Sequence, residues 1–142
     1  MTITAVMFYP LSHLDNIYGF SYITPMEIST DTLFSTLSNE IRLRCLMLLH
    51  HQGELCVCEL THALHMSQPM ISRHLALLRD TGLVNDRRAG RWVYYSINAA
   101  LSDWVKQIFV ITAKANKNQP PFADDLEALM TMPDRAETAG CG

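Results

Sequence analysis

With 142 residues and 49% hydrophobic content, the chain has the size of one ordinary domain, and no stretch approaches the roughly 20 apolar residues that a membrane-spanning helix needs. Asp15, Arg42 and Arg44 break the longest apolar stretches and no small-residue cleavage site is evident, so the chain reads as cytoplasmic; its four cysteines, Cys45, Cys56, Cys58 and Cys141, then point to metal or redox chemistry rather than to a disulfide framework. The formal net charge of −3 argues against a nucleic-acid binder, but its distribution points the other way: between Ser67 and Asn98 five arginines face two acids, a local +3, whereas the segment from Lys117 onward carries −3.

Residues 1–25 have no helical period and mix Tyr9-Pro10, Asn16, Gly19 and Thr24-Pro25 with scattered apolar residues. They read as a weakly structured N-terminal arm. Met26 is an alternative start, in which case the arm is an artefact. From Asp31, Leu33, Phe34 and Leu37 share one helical face; Ser38-Asn39-Glu40 caps a second helix with Ile41, Cys45, Leu48 and Leu49 at helical spacing. His50-His51-Gln52-Gly53 ends it. Cys56 to Leu64 predicts a short third helix, with Val57, Leu60, Ala63 and Leu64 on its apolar side. After the turn His65-Met66, Ser67 is a good N-cap and Pro69 lies in the first turn of a fourth helix, where a missing N–H costs nothing. That helix buries Ile71, Leu75 and Leu78 and stops near Thr81-Gly82.

A short helix, a tight turn and a longer helix make a helix-turn-helix. The strand-like runs from Leu83 to Arg88 and from Arg91 to Ile97 flank Ala89-Gly90 and predict a β-hairpin, a wing. The expected fold class is therefore mainly α with a small β-hairpin, a winged helix-turn-helix spanning residues 26–116. A final helix of about 16 residues carries Leu101, Trp104, Val105, Ile108 and Phe109, more apolar surface than a small domain usually buries, and is assigned to a homodimer interface. Residues 117–142 read as a flexible acidic tail, in which Phe122 to Met130 are a candidate for one further amphipathic turn.

A recognition helix offers polar side chains at its N-terminal turns, where they reach base edges and phosphates. Ser67, Gln68, Met70, Ser72, Arg73 and His74 occupy those positions, with His74 equally suited to packing the helix. Gln suits adenine, Arg suits guanine or phosphate, and the helix N-terminus at Ser67 suits a phosphate. Arg87, Arg88 and Arg91 bracket the hairpin tip and are placed to reach a neighbouring minor groove or the backbone, the alternative being a solvated basic hairpin.

Three blocks in order, Glu54-Leu55-Cys56-Val57-Cys58-Glu59-Leu60, then Ser67 through Arg79 (Ser-Gln-Pro-Met-Ile-Ser-Arg-His-Leu-Ala-Leu-Leu-Arg), then Gly90-Arg91-Trp92-Val93-Tyr94-Tyr95, closely resemble the ArsR/SmtB family of metal-sensing repressors, in particular its arsenic-responsive branch. The resemblance covers residues 30 to 115. It implies a homodimer on double-stranded operator DNA that represses its own arsenic-resistance operon, is not an enzyme, needs no cofactor to fold, and has arsenite as inducer, with antimonite or another thiophilic metal as alternatives.

Soft ions need thiolates, and Cys56 and Cys58 supply two. On a continuous helix residues two apart point about 200° apart, so both sulfurs meet one ion only if the first turn is broken, an event that would re-aim the attached recognition helix. The helix N-terminus is expected to lower the thiol pKa values. Arsenic sensors of the family often carry another cysteine three residues on; here that position is Thr61, leaving Cys141 as the candidate third ligand against its plain reading as a terminal thiol. Cys45 follows the core face of its helix. Zinc sensors of the family place His and carboxylates on the dimer helix, which here has Asp103 and no His; cadmium and lead sensors add cysteines from the N-terminal arm, which here has none. A structural zinc site combining the cysteines with His50, His51, His62 and His65 is an alternative matching no standard spacing. Two further classes are a thiol redox protein, disfavoured by the absence of Cys-x-x-Cys, and a winged-helix module for protein contacts, which dispensable arginines would favour.

Overall fold

The computed structural model describes residues 26–133 and Arg135; the proposed arm of residues 1–25 and Cys141 lie outside them. Among the described residues the chain forms α1 (Thr30–Leu37), α2 (Glu40–Gln52), β1 (Glu54–Cys56), α3 (Val57–Leu64), α4 (Gln68–Asp80), β2 (Val84–Ala89), β3 (Trp92–Ile97), α5 (Asp103–Asn116) and α6 (Phe122–Met130).

Local chemistry sets most of these boundaries. Ser29 Oγ accepts from the Thr32 N–H at 3.2 Å, Asn39 Oδ1 from the Arg42 N–H at 3.1 Å, and Ser67 Oγ from the Met70 N–H at 3.4 Å, so each helix entry satisfies one otherwise orphaned donor. Gly53 ends α2 at φ 87°, a left-handed conformation that glycine adopts without steric cost, and the chain reverses directly into β1. His65, at φ 54°, makes the left-handed turn between α3 and α4.

Leu46, Leu49, Leu60, Leu64, Ile71, Leu75, Leu78, Val105 and Phe109 form one core shared by the helices and closed on its open side by Leu55, Val84 and Tyr95 of the sheet. The wing is larger than the predicted hairpin. β1 joins it in a three-stranded antiparallel sheet of order β1-β3-β2, with Glu54 opposite Ser96, Leu55 opposite Tyr95 and Cys56 opposite Tyr94. Three residues with no alternation of their own gave no strand signal; the third helix accordingly begins one residue late, at Val57, with Cys56 as its N-cap.

Two expectations need correction. Residues 122–130, the candidate amphipathic turn within a tail read as flexible, form a helix packed on α3 and α2. Asp125, one of the acids counted in that segment, is buried against Arg44, whose Nε and Nη2 donate to its two oxygens at 2.8 and 2.6 Å. Of the five residues assigned to a dimer face, Leu101, Val105 and Phe109 are taken up in the chain's own core, Ile108 is half-buried, and Trp104 remains 37% exposed. The 3.6-residue period cannot tell which side of an all-round apolar helix faces its own domain.

No helix among the described residues is long and apolar enough to cross a membrane.

Candidate thiol site and nucleic-acid interface

The chain leaves β1 at Cys56 in an extended conformation (φ −82°, ψ 163°) and enters α3 at Val57. The Cys-x-Cys pair therefore straddles a strand–helix junction, and the divergence expected within a continuous helix does not apply to Cys56. Glu59 holds this junction: one carboxylate oxygen accepts the Cys56 N–H at 2.8 Å, and the other accepts from Arg135 Nε at 3.0 Å. Arg135 Nη2 also reaches Gln52 at 3.1 Å, so the segment after α6 is tied to both α2 and α3.

Cys56 and Cys58 are both buried, as is Cys45. Cys45 and Cys56 are free thiols, whereas Cys58 is disulfide-bonded in the structure. The expected acidification of the thiols by the helix N-terminus is corrected at Cys56: burial pushes its thiol above the usual range, and the backbone N–H groups of Glu59 and Cys58 offset only part of that. Cys45, deep in the core, is pushed up to about 12 by burial, as befits a packing residue. Thr61, one turn beyond Cys58, has a buried hydroxyl oxygen without a hydrogen-bond partner. Among the described residues no group of three or more His, Cys, Asp or Glu side chains is placed to hold a metal ion, so the Cys/His zinc alternative finds no geometric support.

The recognition helix presents its residues as its capping dictates. Ser67, Gln68 and Arg73 are exposed, Met70, Ser72 and His74 half-buried, and Ile71, Leu75 and Leu78 face the core. The His74 imidazole is held below its usual pKa by partial burial, then by Arg42 and Arg73. It is neutral at pH 7. On the wing, Arg88 and Arg91 are exposed, and Arg91 lies over the Trp92 ring at 5.1 Å.

Arg87 has a different setting. Its Nη2 and Nε donate to the two oxygens of Glu54 at 2.7 and 3.1 Å, and its guanidinium lies 4.8 Å from the Tyr94 ring centroid. The neighbouring Asp86 accepts from Arg79 Nη1 at 3.2 Å, tying the end of α4 to the wing. Sequence reasoning missed Glu54, Glu59 and Arg79 as members of these sites; only the register of β1 on β3 brings Glu54 to Arg87, 33 residues away.

Residues 39–86 match the family described as bacterial regulatory protein, arsR family. The chain is 46% identical over 113 residues to the arsenic resistance transcriptional regulator ArsR2 of Pseudomonas putida, a match covering 80% of this chain and 92% of that one. It is 47% identical over 88 residues to the arsenical resistance operon repressor of Escherichia coli, covering 62% of this chain and 71% of that one. Among solved structures, the homodimeric winged helix-turn-helix DNA-binding domain Mb0332 of Mycobacterium bovis superposes with a TM-score of 0.51 at 31% identity, over 63% of this chain and 80% of that one.

Proposed function

Because the chain belongs to the arsR family of bacterial regulatory proteins, we propose that it is a cytoplasmic, homodimeric repressor of an arsenic-resistance operon, releasing operator DNA when arsenite binds the thiolates of Cys56 and Cys58. The two relatives named for arsenic resistance support this reading. The observation that carries it is the place of the thiol pair: Cys56 is at once the last residue of a strand in the wing sheet and the N-cap of the first helix of the helix-turn-helix. An ion drawing Cys56 and Cys58 together would act on that junction, where the Glu59 carboxylate accepts the Cys56 N–H, and through it on two DNA-facing elements.

Ser67, Gln68, Met70, Ser72, Arg73 and His74 would meet the major groove, with His74 as a neutral packing and contact residue, and Arg87, Arg88 and Arg91 the flanking backbone or minor groove. Binding requires Cys58 reduced. Cys56 and Cys58 would supply two thiolates, with Cys141 as the candidate third; two sulfurs alone suit a trivalent arsenical that keeps one oxygen or carbon substituent.

The test is fluorescence anisotropy of the reduced protein on DNA from its own promoter. Wild type should bind and release on adding arsenite, while the Cys56→Ser, Cys58→Ser double variant should bind and stay bound. DNA binding that ignores arsenite in the wild type overturns the inducer; no binding at all favours a module for protein contacts.

A further inference from the structure

The thiol pair lies beside the wing as closely as beside the recognition helix. Successive residues of a strand point to opposite faces of a sheet, and directly opposed residues share a face. Glu54 and Cys56 therefore lie on the same face as their partners Ser96 and Tyr94, and Arg87, opposite Tyr94 from the other side, lies on that face too. Cys56, Tyr94 and Arg87 form one row across three strands, and Glu54 closes it by a two-pronged ion pair to Arg87.

We infer that Glu54 is a positioning residue that transmits the state of Cys56 to DNA: through Arg87 it holds the wing in its binding pose, and distortion of β1 at Cys56 releases it. This rests on the repressor reading above and adds the route of its regulation. β1 is three residues long, so Glu54 and Cys56 cannot move independently. A guanidinium fork on a carboxylate fixes direction as well as distance, and the Tyr94 ring restrains the guanidinium from its face. Asp86, the residue before Arg87 in β2, points to the opposite face and is paired with Arg79 near the end of α4. Any shift of β2 is therefore felt at both DNA-facing elements. Glu54 is held below the usual carboxylate range, first by its hydrogen bond from Arg87, as expected of a carboxylate that stays charged in this pair.

The readout is the coupling ratio, the Kd for promoter DNA with saturating arsenite divided by that without, because a merely structural contact changes both values and leaves their ratio alone. Both side chains are substantially exposed, so Glu54→Ala, Arg87→Ala and the exchanged pair Glu54→Arg, Arg87→Glu should fold. Glu54→Ala is expected to cut the ratio at least about fivefold while binding arsenite as wild type does in the absence of DNA, measured by near-ultraviolet arsenic–thiolate absorbance. The exchanged pair should recover most of the ratio, although each single change loses it. An unchanged ratio in Glu54→Ala overturns the inference and leaves the repressor reading intact. Failure of the wild type itself to release DNA overturns the repressor reading and this inference with it.

Discussion

The Cys56 thiol is 3% exposed, and its acidity is set by burial against two backbone N–H groups, with burial prevailing. Only the thiolate attacks arsenic. At neutral pH, well below the raised pKa, the thiolate fraction grows about tenfold per pH unit, so arsenite capture by the DNA-free protein should accelerate by that factor between pH 6.5 and 7.5 in stopped-flow absorbance. The affinity should barely change, because each As–OH exchanged for As–S takes up the thiol proton as water. A flat rate profile would mean that burial does not control the thiol. Thr61 stands where a third soft ligand would tighten the proposed ion site. Its buried oxygen has no hydrogen-bond partner, so Thr61→Cys leaves no donor or acceptor stranded and offers a third soft ligand at one-turn spacing from Cys58. The arsenite concentration for half-release should fall at least about tenfold in an anisotropy titration; an unchanged midpoint would place the third ligand elsewhere.

At the scale of elements, the C-terminal helix α6 is what the thiol site leans on. It packs on α3 and α2, and its fixed point is the Arg44–Asp125 pair, with side chains 12% and 3% exposed. Removing one partner of a buried pair strands the other, which costs about 3–5 kcal/mol. Asp125→Ala should therefore lower the unfolding free energy by that amount in a urea titration, whereas the exposed Asp124→Ala should change it by less than about 0.5 kcal/mol. Equal effects would show that α6 is not anchored through Asp125. The same elements mark what could be read in advance. Caps and turn residues announced α2 and α4 because Asn39, Gly53 and Ser67 act within a few residues of themselves, and apolar spacing announced α1 and α3. β1 was silent because Glu54 to Cys56 become a strand only through the backbone of Tyr94 to Ser96, about 40 residues away. Cys56 and Cys58 are proposed from side-chain chemistry together with the family resemblance, and the polar positions of α4 from helix position; Glu54, Glu59 and Arg79 are not, since a carboxylate or guanidinium gains its role from the partner that folding brings.

For the whole molecule, several large apolar side chains remain uncovered. Phe34 of α1 and Trp104, Val110 and Ile111 of α5 are 52%, 37%, 49% and 65% exposed, and an apolar groove of about 330 Å³ between α2, β3 and α5 is lined by Leu49, Ile97, Phe109 and Val110. Exposed large apolar side chains on α5 beside an apolar groove are candidates for an interface. A single winged helix reads one half-site, and two joined copies read two half-sites about one DNA turn apart, so the proposed dimer would gain affinity through avidity rather than through new DNA contacts. Ile111 is the most exposed of the four and takes no part in the buried core, which separates assembly from folding. Ile111→Glu should leave thermal unfolding of the monomer cooperative, shift the sedimentation coefficient from dimer to monomer at micromolar concentration, and weaken promoter binding on the order of 100-fold. Loss of DNA affinity without loss of the dimer would instead place Ile111 at the DNA. A dimer that survives with affinity intact would move the subunit contact away from α5 altogether.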